Sequence, residues 1–359
     1  MNGETGSKSR VYSTVNGLRG VAALAVATHH GQGFFGRWMA EGGYRAVDLF
    51  FVLSGFVLAH AYERRFETGM TTRAFFWIRL RRFYPLYLVG VLIGSLSAAV
   101  AWKLDTGTPA PFGLVRTIGF GLFMLPYPTL NPDQMLYPVN VPAWSLFFEL
   151  VINVVYVAFR RRLSTPFLLL TVPLAGAMLA VVGMVHGSLD LGSRWGSFGG
   201  GLLRVYFSFF AGVLIFRLFP HAGTRSILSW GLLALSIVLV VAWPKGPVRV
   251  GFDLVCVLLL LPAIVALAVR FEPSKRARSV FETLGAISFP LYAIHYPILE
   301  FASRVLRATG SQPAAVAPWA GVVLLVAICF ASVLLDRFYD GPVQQALRYF
   351  PRRASVEAS

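Results

Sequence analysis

The chain has 359 residues, 56% of them hydrophobic and only 13% charged, with a formal net charge of +16 and a mean hydropathy of +0.66. Soluble domains carry about 25% charged residues, so a soluble enzyme, a disordered chain and a disulfide-stapled secreted scaffold are excluded. A nucleic-acid-binding domain of this charge would not be this apolar, whereas basic cytoplasmic loops on a membrane protein account for both properties.

Residues 1–14 are polar and basic, and the apolar run after them lacks a clean signal-peptide cleavage site. Taken in order, apolar runs predict spans near 15–34, 43–62, 78–102, 143–160, 166–186, 200–219, 226–243, 250–270, 281–304 and 315–337. Segment 112–126 is apolar but short and leads into a Pro-rich stretch, so it is expected to lie at the interface or to re-enter. The expected fold is all-α: a polytopic bundle of about 10 transmembrane helices over 1–340, followed by a short cytoplasmic tail, 341–359. With both termini inside, the inner segments hold 21 Lys and Arg and the opposite ends and loops hold 10, Arg45 and Arg204 among them, while Arg19 falls within the first span. That bias predicts cytoplasmic termini and an even number of spans. Cys256 and Cys329 sit in apolar runs without metal-type spacing, and no metal site is expected.

Charges inside a span are costly and face a cavity or a partner. The first span contains Arg19 and, eleven residues on, His30; the separation is roughly 16 Å along a helix and returns to the same face. His29 lies about 100° away. The second span carries Asp48, and the fourth opens PAWSLFFE with Trp144, Ser145 and Glu149. The ninth reads GAISFPLYAIHYPI, where Ser288, Tyr292 and His295 share a face and Pro290 and Pro297 bend the helix and free carbonyls. Arg79, Arg81 and Arg82 at the start of the third span read either as an interfacial anchor or as a phosphate site. Each polar residue alone has a plain alternative, a packing role or a helix-joining ion pair; together they point to a polar core.

These segments, in this order, resemble the acyltransferase-3 family of integral-membrane O-acyltransferases. The resemblance rests on NGLRGVAALAVATHH, VDLFFVLSGF, RLRRFYPLY, PAWSLFFE and GAISFPLYAIHYPI and runs from about 16 to about 340. Two positions depart from the family pattern: Asn16 stands where Asp is common, and Phe289 where Tyr is common. The chain looks like the stand-alone form, without a C-terminal SGNH-type hydrolase domain. The resemblance implies an acyl donor, acyl-CoA and usually acetyl-CoA, arriving from the cytoplasm, with no permanently bound cofactor. It implies a sugar acceptor in a cell-surface or exported polysaccharide or glycolipid, and a location in the cell inner membrane.

For such a transfer His30 is the expected base, with Glu149 or Asp48 orienting it. Arg19, Arg79, Arg81 and Arg82 are expected to hold the donor. Trp144, Ser145, Ser288, Tyr292 and His295 are expected to line the substrate site, with His295 ranked below His30 as a catalytic group. Rival classes are a proton-coupled transporter or exporter, which predicts inverted repeats, and a non-catalytic scaffold of a glycan-assembly complex, which predicts tolerance of His30→Ala.

Overall fold

The computed structural model describes residues 12–31, 33–103, 111–219 and 223–354. Lys8 and Arg10, counted above toward the basic side, lie outside the described residues, as do 355–359. The helices are α1 (Ser13–His29), α2 (Arg45–Glu67), α3 (Thr72–Lys103), α4 (Pro111–Leu122), α5 (Ala143–Phe159), α6 (Thr165–His186), α7 (Phe198–Leu218), α8 (Leu228–Val241), α9 (Val248–Val255), α10 (Leu261–Ala268), α11 (Arg278–Ala308), α12 (Trp319–Leu335) and α13 (Gly341–Ala354). A π-helical turn, Cys256–Leu260, joins α9 to α10, and another, Asp336–Asp340, joins α12 to α13. Strand among the described residues is limited to β1 (Thr224–Arg225), paired in parallel with β2 (Phe271–Glu272), and an isolated bridge between Met135 and Arg194.

The helices divide by how well they suit hydrocarbon. Six stretches are long and apolar enough to cross a membrane: Gly36–Glu67, Thr72–Lys103, Thr165–His186, Trp195–Leu218, Val248–Ala268 and Trp319–Leu347. α5 and α8 are apolar but shorter. α4, at 12 residues, reaches about 18 Å and is too short to cross ~30 Å of hydrocarbon. α1 is 17 residues long, and α11 is diluted by Arg278, Glu282, Glu300, Arg304 and Arg307. The paired histidines described below stand just past the end of α1 and within α11. Both helices are protected by packing: twelve of the residues of α1 and thirteen of α11 are buried, so neither relies on an apolar surface.

α1 packs along α11, and small residues allow it. A Cβ on Gly20 would sit 2.5 Å from Leu284 Cβ and 2.7 Å from its carbonyl oxygen, so only glycine lets the two backbones approach this closely. The start of α1 is pinned by the small sheet: Thr14 Oγ1 donates to Phe271 O at 2.5 Å, and the Ser13 amide donates to Glu272 Oε2 at 2.9 Å. α6 begins at a Ser164 cap whose Oγ accepts from the Phe167 amide, and it ends at Gly187 with φ of 67°. α3 starts at Thr72, so Arg79, Arg81 and Arg82 lie two to three turns inside the helix and not at its first turn. Residues 341–354, read from sequence as part of a short tail, include a helix anchored on α3. Gln344 Nε2 donates to Arg81 O at 2.8 Å, and Arg81 Nη1 donates to Leu347 O at 2.5 Å.

Candidate active site

Two cavities enter the bundle from opposite ends of α1. The first has a volume of about 680 Å³ and is walled by α1, α2, α3, α5, α11 and α13. Five arginines line it, Arg19, Arg65, Arg79, Arg81 and Arg82, against a single carboxylate, Glu149. Their states differ. Arg79 is paired with Glu149 at 2.8 Å, and Glu149 also accepts from Ser54 Oγ at 2.5 Å. Arg82 is paired with Asp340 at 2.5 Å. Arg79 and Arg82 also lie over the rings of Phe83 and Phe289. Phe289 thus presents a ring face to Arg82. Arg19 makes no hydrogen bond or ion pair with any described residue, so its guanidinium is available to an anion.

The second cavity, about 580 Å³, is walled by the end of α1, the turn before α2, the 132–144 segment, the 186–197 segment and α11. Its lining is polar and mixed in charge: His29, His30, Tyr44, Asp133, Asp190, Arg194 and Tyr296 are the groups that could recognise hydroxyls. The wall between the cavities is thin in sequence terms. Val47 lines both; Ser145 faces the first and Trp144 the second; Tyr292 faces the first and Tyr296, one turn on, the second.

That wall is held by the 137–145 segment against α11. Pro297 has no amide hydrogen, so the carbonyl of Ala293 loses its helical donor. Asn140 Nδ2 donates to that carbonyl at 3.1 Å. α3 comes equally close, because at Gly90 a Cβ would lie 2.3 Å from the same oxygen. Tyr292 Oη is 2.5 Å from Ser145 Oγ and donates to Pro142 O at 3.1 Å. The freed carbonyl expected from the prolines is therefore a docking point, and the residue that uses it, Asn140, was not singled out from sequence. The tyrosines of the RLRRFYPLY stretch close the end of α4: Tyr84 Oη and Tyr87 Oη donate to Leu122 O and Gly121 O at 2.9 and 2.5 Å.

At the edge of the second cavity stand the histidines. His30 Nδ1 is 3.0 Å from Val26 O and 3.3 Å from His295 Nε2. His295 is fully buried, and its Nδ1 lies 3.1 Å from Leu291 O and 2.8 Å from Tyr292 O. The Tyr296 ring is edge-on to His30 with centroids 5.6 Å apart. His29 Nδ1 contacts Ala40 O at 3.0 Å.

The structure brings Arg19, Arg79, Arg81, Arg82, Ser145, Glu149, Ser288 and Tyr292 to the first cavity, and His30 and Trp144 to the second. His295 joins His30 directly. Neither carboxylate expected to orient His30 reaches it: Glu149 is held by Arg79 and Ser54, and Asp48 by Arg204. Arg204 grips Asp48 through Nη2 at 2.7 Å and Nε at 3.2 Å, with both side chains wholly buried. Arg45 similarly pairs with Asp253, which also accepts from Tyr44 Oη. Arg45 and Arg204, counted from sequence among the charges at ends and loops, are thus interior ion pairs. Ser288 Oγ is turned to its own helix, donating to Gly285 O at 2.7 Å. Sequence reading missed Ser54, Asn140, Arg204, Asp253, Tyr296 and Asp340; Ser54 and Tyr296 lie within motifs already singled out and Asn140 flanks one, while the other three carry no local signal.

A family model described as an acyltransferase domain matches residues 12–337. Acyltransferase MdmB of Streptomyces mycarofaciens is 26% identical over 93% of this chain and 92% of its own length. The peptidoglycan O-acetyltransferase OatA of Listeria monocytogenes is 24% identical over 94% of this chain, and the match spans 56% of the length of that relative. Protein 2 in the picA locus of Rhizobium radiobacter is 40% identical over 46% of this chain. No solved structure matches.

Proposed function

We propose a donor, an acceptor and a base for a chain that belongs to the acyltransferase-3 family and is a multi-pass membrane O-acyltransferase. The donor is acyl-CoA, with acetyl as its acyl group, entering the first cavity from the cytoplasm. The acceptor is a hydroxyl of a sugar in a cell-surface or exported polysaccharide or glycolipid, entering the second cavity from the far side of the inner membrane. His30 is the base.

The observation that carries this reading is the shared wall: a cavity rich in arginine and a cavity lined by mixed polar groups lie on either side of Val47, the Trp144–Ser145 pair and the Tyr292–Tyr296 turn of α11, with His30 in the lining of the second and His295 beside it. Guanidinium forks suit phosphate oxygens, and the unpaired Arg19 leaves one such fork free. Hydroxyl-bearing ligands suit the Tyr, His, Asp and Ser lining of the second cavity. At the wall, the hydroxyl oxygen attacks the thioester carbonyl, the proton passes to His30, and the thiolate leaves as the new ester forms.

The test is transfer from radiolabelled acetyl-CoA to glycolipid and polysaccharide in membranes holding wild type or His30→Ala at equal protein level. The expected result is label in the wild type and a loss of at least ~10²-fold in the variant, the scale of a general base. Equal label from both would remove His30 as the base. No label from either folded protein would turn the reading toward a carrier or scaffold.

A further inference from the structure

We infer that His295 is the positioning residue of His30, a neutral imidazole standing where an acid–base pair usually has a carboxylate. The inference rests on the O-acyl-transfer reading above and adds to it the state of each ring nitrogen.

The two flanking sets of acceptors fix that state. His295 Nδ1 faces two carbonyl oxygens, Leu291 O and Tyr292 O, and carbonyls only accept. Its proton therefore sits on Nδ1, and its Nε2 presents a lone pair. That lone pair lies 3.3 Å from His30 Nδ1, whose other neighbour is Val26 O at 3.0 Å. Both neighbours of His30 Nδ1 accept, so the proton of His30 also sits on Nδ1. The remaining nitrogen, His30 Nε2, carries a lone pair and has no hydrogen-bond partner among the described residues. With His30 at the second cavity, that lone pair is the base.

The arrangement has a reason in the membrane. A buried carboxylate near His30 would add an uncompensated charge to the interior between turnovers. The carboxylates expected from sequence to orient His30, Asp48 and Glu149, are bound to arginine, and Asp133 and Asp190, which line the same cavity as His30, make no hydrogen bond to it among the described residues. A neutral ring adds no charge at rest, and its hydrogen bond strengthens once His30 is protonated, because a charged donor makes the stronger bond. During transfer the acceptor hydroxyl gives its proton to His30 Nε2 as its oxygen bonds to the thioester carbon. The carbon–sulfur bond breaks, and the thiolate then takes the proton from Nε2 to leave as thiol. His295 accepts the Nδ1 hydrogen bond throughout and takes no proton. α11 presents His295 rigidly, since Asn140 and Gly90 fix its backbone two residues earlier, at Ala293.

Three variants in the radiolabel assay test this. His295→Phe keeps ring volume and removes the acceptor. The expected result is a fall of about 10²-fold in kcat with KM for donor and acceptor within about 2-fold of wild type, at normal membrane level and melting temperature. His295→Gln places an amide oxygen near the position of Nε2 and should recover most of the lost rate. His295→Asn, too short to reach His30, should not, and the Gln–Asn contrast decides the matter if His295→Phe fails to accumulate. Full activity of His295→Phe or His295→Asn beside an inactive His30→Ala would overturn the positioning role alone. So would a Gln variant no better than Asn. An active His30→Ala would instead remove the underlying choice of base.

Discussion

The arginines at the two ends of α2 behave in opposite ways. Near its start, Arg45 and Arg204 are entirely buried and each of their guanidinium nitrogens has a partner: one binds Asp253, Leu239 O and Ala242 O, the other Asp48, Leu191 O and Tyr44 O. Around its second half, the first cavity holds five arginines with one carboxylate in its lining, and Arg19 is unpaired. The difference separates two uses of the same side chain. A guanidinium whose every nitrogen has a protein partner joins helices; one left open in a cavity waits for a ligand. Partner inventory and burial both tell them apart, since Arg45 and Arg204 are wholly buried and the cavity arginines are not, and the contrast yields a graded set of expectations.

The largest effect belongs to the satisfied end. Asp48→Ala leaves Arg204 buried without its counter-charge, which costs about 3–5 kcal/mol. The folded protein should largely disappear from detergent extracts, measured by size-exclusion profile and thermal melting. Asp48→Leu combined with Arg204→Met, which removes both charges, should restore much of the folded level. If Asp48→Ala instead melts like wild type but loses kcat, Asp48 belongs to the chemistry and the division between the two ends fails.

That division was only half legible in the sequence. The spacing of Arg19 and His30 on one face, the polar face of the ninth span and the two prolines could be read locally, because helical periodicity is a local property. Pairing could not. Asp48 and Arg204 are 156 residues apart, and Tyr44 and Asp253 are 209 apart. No spacing rule links them, so Asp48 looked like a free carboxylate suited to orienting His30, and Arg204 looked like a charge at the end of a span. The same blindness applied to His295, whose worth depends on α1 lying against α11 at Gly20. α11 itself, the helix with the most chemistry, is among the least membrane-like by composition, since its charges sit at its ends and its middle is covered by protein.

The open end gives the intermediate effect. Arg19→Gln removes a guanidinium that shares its cavity with Arg79 and Arg82, so no protein ion pair is lost and like-charge repulsion falls. Melting temperature should hold or rise slightly. KM for acetyl-CoA should rise about 10- to 100-fold, the scale of one hydrogen bond to a charged group at ~1.5–3 kcal/mol. An unchanged donor KM with a lower melting temperature would place Arg19 with the satisfied arginines.

The smallest effect is expected where the two classes meet. Arg82 lines the first cavity yet is paired with Asp340, and its side chain is 39% exposed. An ion pair open to solvent on one side contributes about 0–1 kcal/mol, so Asp340→Asn should barely shift melting. It should, however, release Arg82 from the protein and leave it as free as Arg19. Donor KM should then fall or stay within about 3-fold of wild type, whereas Arg82→Gln should raise it. A rise in donor KM for both variants would mean that the Arg82–Asp340 pair, and through it the docking of α13 on α3, shapes the cavity as a unit. Arg82 would then count as a joining arginine despite its place in the lining.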